Sequence, residues 1–256
     1  MPETTDRKHV LKKNGYGAAD IHIHSDVGDG MASIHRILEF VEDRDSLDVI
    51  AITDHDEIEG SYRARELAAK RGYHFEVVTG MEVTTLEGHL LALFLESPVP
   101  SLQPLANTME AIHDQGGLCI VPHPMSWLTD SINRRSLERI LTSKELSLCL
   151  NGIETINSTI VGRISNRLAK RFNQRYRLAE TGGSDAHFLL AVGSALTLFP
   201  GRTAEELKRS LLERTTLAQN GVGGRLGQIG LIQIIKQQRK SKGFSLHRTL
   251  RNFLER

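Results

Sequence analysis

Apolar and polar positions along this chain switch repeatedly between two periods. Ser33 to Arg44 places Ile34, Ile37, Leu38 and Val41 at helical spacing, while Leu47 to Thr53 is a near-continuous apolar run of buried-strand length. A helix is predicted from Ile58 to Arg71, stopped by Gly72, then a strand from Phe75 to Thr79. The run from His89 to Leu95 reads as a strand folded back on its predecessor. A helix from Leu105 to Gln115 closes at Gly116-Gly117 and leads into a strand from Leu118 to Val121. Ser136 to Leu141 and Val161 to Tyr176 carry helical spacing, separated by a strand from Gly152 to Ile156. Arg177 to Glu180 and Ala195 to Phe199 read as the remaining strands. Thr203-Ala-Glu-Glu206 has the form of a capping box opening a helix that ends near Arg214. Strands alternating with helices predict an α/β fold with largely parallel strands.

Several polar residues break this pattern in one recurring way. His55, Glu82, His123 and the Asp185/His187 pair each follow a strand by a few residues. In parallel α/β folds the C-terminal strand ends share one face, so residues scattered along the chain would meet there. His89 starts its run instead, and a tight turn at Gly88 would bring it back. In the first strand, Asp20-Ile-His-Ile-His-Ser25, alternation puts Asp20, His22 and His24 on one face, with Ile21 and Ile23 on the other. Asp29 follows in a loop between Gly28 and Gly30. Imidazoles and carboxylates gathered in this way suit first-row divalent ions, and they are too many for one ion. The expectation is two or three divalent ions (Zn, Mn or Fe), with Glu82 able to bridge.

Composition narrows the field further. The chain has 256 residues, 39% hydrophobic and 25% charged, with a formal net charge of +1. Those values belong to an ordinary globular protein, and no global field marks a nucleic-acid or membrane partner. Cys119 and Cys149 sit in apolar runs without metal-ligand spacing, so a disulfide framework is not expected. Residues 1–17 form a polar segment resembling neither a signal peptide nor a membrane span. A cytoplasmic location is the resulting expectation.

These motifs resemble those of the PHP (polymerase and histidinol phosphatase) metal-dependent phosphoesterases. The matching stretches are Asp20-Ile-His-Ile-His-Ser25, Asp29-Gly30, Ile52-Thr-Asp-His55, Gly80-Met-Glu82, His89, Pro122-His-Pro124 and Gly183-Ser-Asp-Ala-His187. They run in the family's order from about Ala18 to Arg214. The resemblance implies a distorted seven-stranded (β/α) barrel over residues 18–222. It further implies one metal held by His22, His24, Glu82 and Asp185, a second by Asp29, His55 and His187, and a third by Glu82, His89 and His123. The nucleotide-acting branch of the family often carries a sizeable insertion in mid-domain, whereas the stretch between His89 and His123 is short here.

Around these ligands, Asp54, Asp56 and His187 are the candidates for orienting an imidazole or moving a proton. Arg134, Arg135, Asn157 and Arg163 are candidates for binding substrate, a guanidinium fork matching phosphate oxygens. Asn166 is a further polar position near the site, and Glu154, in mid-strand, reads as a carboxylate supporting a ligand. Trp127 is read as covering the site rim. Beyond the Gly221–Gly224 hinge, residues 223–256 are basic, with Leu226, Ile229, Ile232 and Ile235 as an apolar stripe. This segment is read as a helix closing the barrel bottom, or as a contact to nucleic acid or an anionic surface.

The expected function is hydrolysis of a small phosphomonoester, of nucleotide or sugar phosphate type, by metal-activated hydroxide. Its rivals are an exonuclease acting on RNA or DNA ends and a metal-stabilised module without catalysis. A carbon–nitrogen hydrolase of the amidohydrolase type also uses His-x-His on a first strand, but Asp185-Ala-His187 fits the phosphoesterase pattern better.

Overall fold

Each stretch between 16 and 214 that reads as an element contains one, and the structure adds a short helix at Leu146–Cys149 and a strand at Leu217–Asn220. A computed structural model of the chain describes residues 15–127, 129–159, 162–222 and 233–243. The strands are β1 (Tyr16–Ile23), β2 (Val49–Ile52), β3 (Glu76–Thr85), β4 (Gly88–Leu93), β5 (Leu118–Val121), β6 (Leu150–Asn157), β7 (Ala179–Gly183), β8 (Ala195–Pro200) and β9 (Leu217–Asn220). The helices are α1 (Ile34–Arg44), α2 (Glu59–Arg71), α3 (Leu105–His113), α4 (Arg134–Thr142), the short α5 (Leu146–Cys149), α6 (Gly162–Tyr176) and α7 (Ala204–Leu212). A further helix among the described residues, α8, spans 233–243.

Helix ends follow local chemistry. Ser33 caps α1, whose buried face is Ile34, Ile37, Leu38 and Val41. The Thr203/Glu206 capping box opens α7, and Gly72 in the left-handed conformation ends α2.

The strands form one sheet in the order β7-β6-β5-β4-β3-β2-β1-β8-β9. It curls into a distorted, nearly closed α/β barrel with nine strands among the described residues, not the seven that the resemblance implied. Two antiparallel additions account for the difference from a parallel barrel. β3 runs past the barrel and returns as β4, pairing Thr85 with Gly88, and β4 then pairs antiparallel with β5. β9 follows α7 and adds antiparallel to β8, which is itself antiparallel to β1. The seam is drawn together by Thr197, whose hydroxyl contacts both the N–H and the carbonyl of Gly182 at 3.0 Å. Gly182 permits this approach, since a Cβ there would strike the Leu196 backbone.

The barrel interior holds Ala19, Ile21, Val49, Ala51, Leu91, Leu93, Ile120 and Phe199. Leu207 and Leu211 of α7 join this cluster, so α7 covers that end of the barrel. Of the C-terminal segment read from sequence as the closing element, residues 233–243 touch the Asp29 loop instead, and Leu226, Ile229 and Ile232 lie outside the described residues. Ile21 and Ile23 do not share a face either. Ile21 lies in the interior cluster, whereas Ile23 packs with the α1 residues Ile37 and Leu38. A register irregularity between Asp20 and Ile23 breaks the strict alternation. Cys119 and Cys149 are free thiols. No helix among the described residues is long and apolar enough to cross a membrane.

Candidate metal centre

Glu82 sits fully buried in mid-β3 and its two carboxylate oxygens face different imidazoles. Oε2 lies 3.3 Å from His22 Nε2, His24 Nε2 and His55 Nδ1. Oε1 lies 3.0 Å from His89 Nδ1 and 3.1 Å from His123 Nε2. The fold explains each placement. His22 and His24 end β1, His55 follows β2 and His123 follows β5, all at C-terminal strand ends. His89 reaches the same end because β4 runs antiparallel and therefore begins there, opposite Thr84.

The remaining predicted ligands join from the seam side. Asp185 Oδ1 stands 3.6 Å from His22 Nε2 and 3.3 Å from His24 Nε2. Asp29 Oδ2 is 3.3 Å from His187 Nε2, and the His24 and His187 rings stack at 4.1 Å. The structure thus brings together His22, His24, Asp29, His55, Glu82, His89, His123, Asp185 and His187. Four overlapping groups have ligand atoms within 4.8 Å of one another. They are His24/Asp29/His55/His187, His22/Glu82/His123, His22/His24/Asp185 and His55/Glu82/His89. Relative to the allocation implied by resemblance, His24 also stands with the Asp29 group and His22 with the Glu82/His123 group.

The donors fit divalent ions on their own chemistry. Both ring nitrogens of His24, Nδ1 of His55 and His89, and Oδ1 of Asp29 are buried without an aligned hydrogen-bond partner. Buried polar atoms are normally paired, so a cluster of aimed but unpaired donors is what cations at its centre would organise. Without ions, protons take that role unevenly. Burial opposes a charged His24, yet Asp185, Glu82 and Asp29 outweigh it and hold its pKa at about 10. For His55 burial wins, with His89 and His24 adding repulsion, and its pKa falls to about 3. Asp185 and Glu82 are buried, but the surrounding imidazoles hold both carboxyls well below their usual range.

A supporting shell fixes the ligands. Glu154, fully buried in β6, accepts from His22 Nδ1 at 2.8 Å and from the His123 backbone N–H at 2.8 Å. Asn157 Nδ2 donates to Glu154 Oε2 at 3.0 Å and to Asp185 Oδ2 at 3.4 Å. Asn157 therefore holds ligands in place, while Asn166 braces the Asn157 backbone through both its N–H and its carbonyl. Asp20 accepts from the Ser184 and Gly193 backbones, tying the Asp185 loop to β1; burial raises its carboxyl to about 6.

The other sequence candidates sit differently. Asp54 has both oxygens on Ser25, at 2.6 Å from its N–H and 2.6 Å from its hydroxyl, joining the ends of β1 and β2. Burial raises its carboxyl. Asp56 is half-buried and accepts from the Thr84 N–H at 2.6 Å. Arg134 is exposed and paired with Glu138 at 2.8 Å, and Arg135 is exposed. The Arg163 side chain lies outside the described residues. Trp127 is 73% exposed.

Sequence reasoning missed two residues. Gln237 and Lys240 of α8 touch the Asp29 loop, and only the polarity of that helix hinted at them.

The PHP-associated family model matches residues 163–216. An uncharacterized protein of Methanocaldococcus jannaschii is 33% identical over 162 residues, covering 59% of this chain and 88% of its own. The crystal structure of a two-domain protein from Bacteroides vulgatus, containing a predicted PHP-like metal-dependent phosphoesterase, superposes with a TM-score of 0.66 at 20% identity. That match covers 88% of this chain and 70% of the other.

The chain belongs to the PHP family.

The phosphoribosyl 1,2-cyclic phosphate 1,2-diphosphodiesterase of Eggerthella lenta is 34% identical over 101 residues, which is 37% of each protein. The PHP fold and the ligand order along the chain thus agree with the cluster at the strand ends.

Proposed function

We propose that this chain is a metal-dependent phosphoesterase that hydrolyses a small phosphomonoester. The observation that carries the reading is the convergence of five imidazoles on the two oxygens of Glu82. His22, Glu82 and His123 would hold one ion, His24, Asp29, His55 and His187 another, with Asp185 and His89 completing the set. Bound divalent ions supply Lewis acidity that activates water near neutral pH and neutralises phosphoryl oxygens.

The chain's own residues do the rest. Glu154 and Asn157 hold His22 and Asp185 in place, and Ser131 at 2.9 Å from His123 Nδ1 orients that ring. Among the described ligands, solvent reaches furthest at the edge formed by His55 and His187, whose side chains are 15% and 19% exposed. A terminal phosphoryl group reaches such an opening more easily than an internal diester. His187 lies on that edge, and it and Asp56, the neighbour of His55 in the chain, are the candidates for proton transfer to the leaving oxygen. Asp54 is committed to Ser25.

A second reading, a phosphodiesterase acting on nucleic-acid ends, draws on the position of α8. Its exposed Lys236, Arg239 and Lys242 lie on the helix that touches the Asp29 loop, giving that rim positive charge. Hydrolysis of an aryl phosphomonoester and the matching diester, with Mn²⁺ and with chelator, separates the readings. The first predicts metal-dependent monoester turnover, abolished in Asp185→Ala. Faster diester turnover with strong salt dependence supports the second. No turnover of either by the folded, metal-loaded chain contradicts both.

A further inference from the structure

The loop that carries Asp29 is held from above by α8. Lys240 Nζ donates to the backbone carbonyls of Asp26, at 3.1 Å, and Gly30, at 2.7 Å, closing the loop around Asp29. Gln237 is buried to 6% exposure and its Nε2 donates to Asp29 Oδ2 at 3.4 Å. Gln238 Nε2 donates to Gln237 Oε1 at 3.1 Å, which turns the amide nitrogen of Gln237 toward Asp29. Gln237 and Lys240 stand three residues apart on one helix and so share a face.

The same loop is anchored from below. Asp26 N–H donates to Ala32 O at 2.9 Å and Met31 N–H to His187 O at 2.8 Å. Gly30 lies so close to the end of β1 that a Cβ would strike the His24 carbonyl. With the lower contacts fixed, Gln237 decides which Asp29 oxygen is free. Oδ2 is taken by Gln237 and His187, and Oδ1 is left buried and unpaired beside His24. Within α8, Ile235, predicted to pack, is 45% exposed while the polar Gln237 is buried.

We propose that Gln237 and Lys240 are positioning residues for the metal held by His24, Asp29, His55 and His187. The inference rests on the metal-centre reading and adds to it. One ion's retention depends on a C-terminal helix outside the barrel, whereas the ions held by His22, Glu82, His89 and His123 do not.

The test is calorimetric titration of the chelator-treated full chain with Mn²⁺, comparing wild type with Gln237→Met, Lys240→Met and Lys240→Arg. Each methionine variant keeps side-chain length and removes the donor. The expected result is one class of sites weakened about 10- to 100-fold in both methionine variants, as when a residue supporting a ligand is lost. The other class keeps wild-type affinity, and Lys240→Arg, which can still donate to both carbonyls, restores the first. Unchanged binding in both methionine variants overturns the proposal. Equal weakening of every class, or no rescue by arginine, overturns it too, because either indicates general loosening. If Gln237→Met fails to fold, Gln237→Asn withdraws the amide from Asp29 and gives the same comparison. Wild type that binds no Mn²⁺ overturns the metal-centre reading and this inference together, whereas normal wild-type binding with unaffected variants overturns this inference alone.

Discussion

Glu154 shows how much a single buried side chain can control. One oxygen holds His22 Nδ1 and the other holds the His123 N–H and Asn157, so one carboxylate orients candidate ligands from the ends of β1 and β5 together with the supporting Asn157 of β6. Glu154→Gln keeps the volume but replaces one acceptor with a donor facing donors. Metal affinity should fall about 10- to 100-fold with the fold retained, as read by Mn²⁺ titration beside circular dichroism. The supporting role of Glu154 was legible in the sequence, because a carboxylate in mid-strand needs a partner. Its simultaneous hold on His22 and His123 was not, because those two come from strands far from Glu154 in the chain.

At the scale of elements, the strand-to-loop transitions carry the site, and β7 meets it with very little room. A Cβ at Gly183 would collide with Glu154 Oε1 and stand 2.8 Å from His22 Cβ. Gly183→Ala should therefore displace the Glu154 carboxylate, cost about 1–3 kcal/mol by overpacking and weaken metal binding with it. Thermal melts and Mn²⁺ titration of the same sample check both effects. Most helices and strands were legible because burial imposes clear periods, as in the α1 face and the β2 run, whereas the short α5 and β9 were not read. Pairing direction was less so. Nothing local told β8 and β9 to add antiparallel, and the irregularity in β1 that separates Ile21 from Ile23 leaves no mark in an Ile-His-Ile pattern. The α8 contacts depend on a distant part of the chain finding the Asp29 loop, which periodicity cannot encode.

For the molecule as a whole, the metal-free cluster is held together by protons that ions must displace. His24, ordinarily near 6.5, is raised to about 10, so its contribution to metal-free stability is full below about 6.5 and is lost as pH rises through about 10. Ligation needs that proton gone, so apparent metal affinity should rise with pH across the same window and binding should release protons. The increase in melting temperature on adding Mn²⁺ should accordingly be larger at pH 9 than at pH 6. An equal or smaller increase at pH 9 would contradict the proton-for-metal exchange. The central claim is that Glu82 organises more than one ion at the strand ends, and anomalous diffraction from crystals soaked in Mn²⁺ tests it most directly. The account predicts at least two anomalous peaks beside the Glu82 carboxylate, separated by about 3.5–4 Å as in two-metal sites. A single peak, or peaks remote from Glu82, would contradict it.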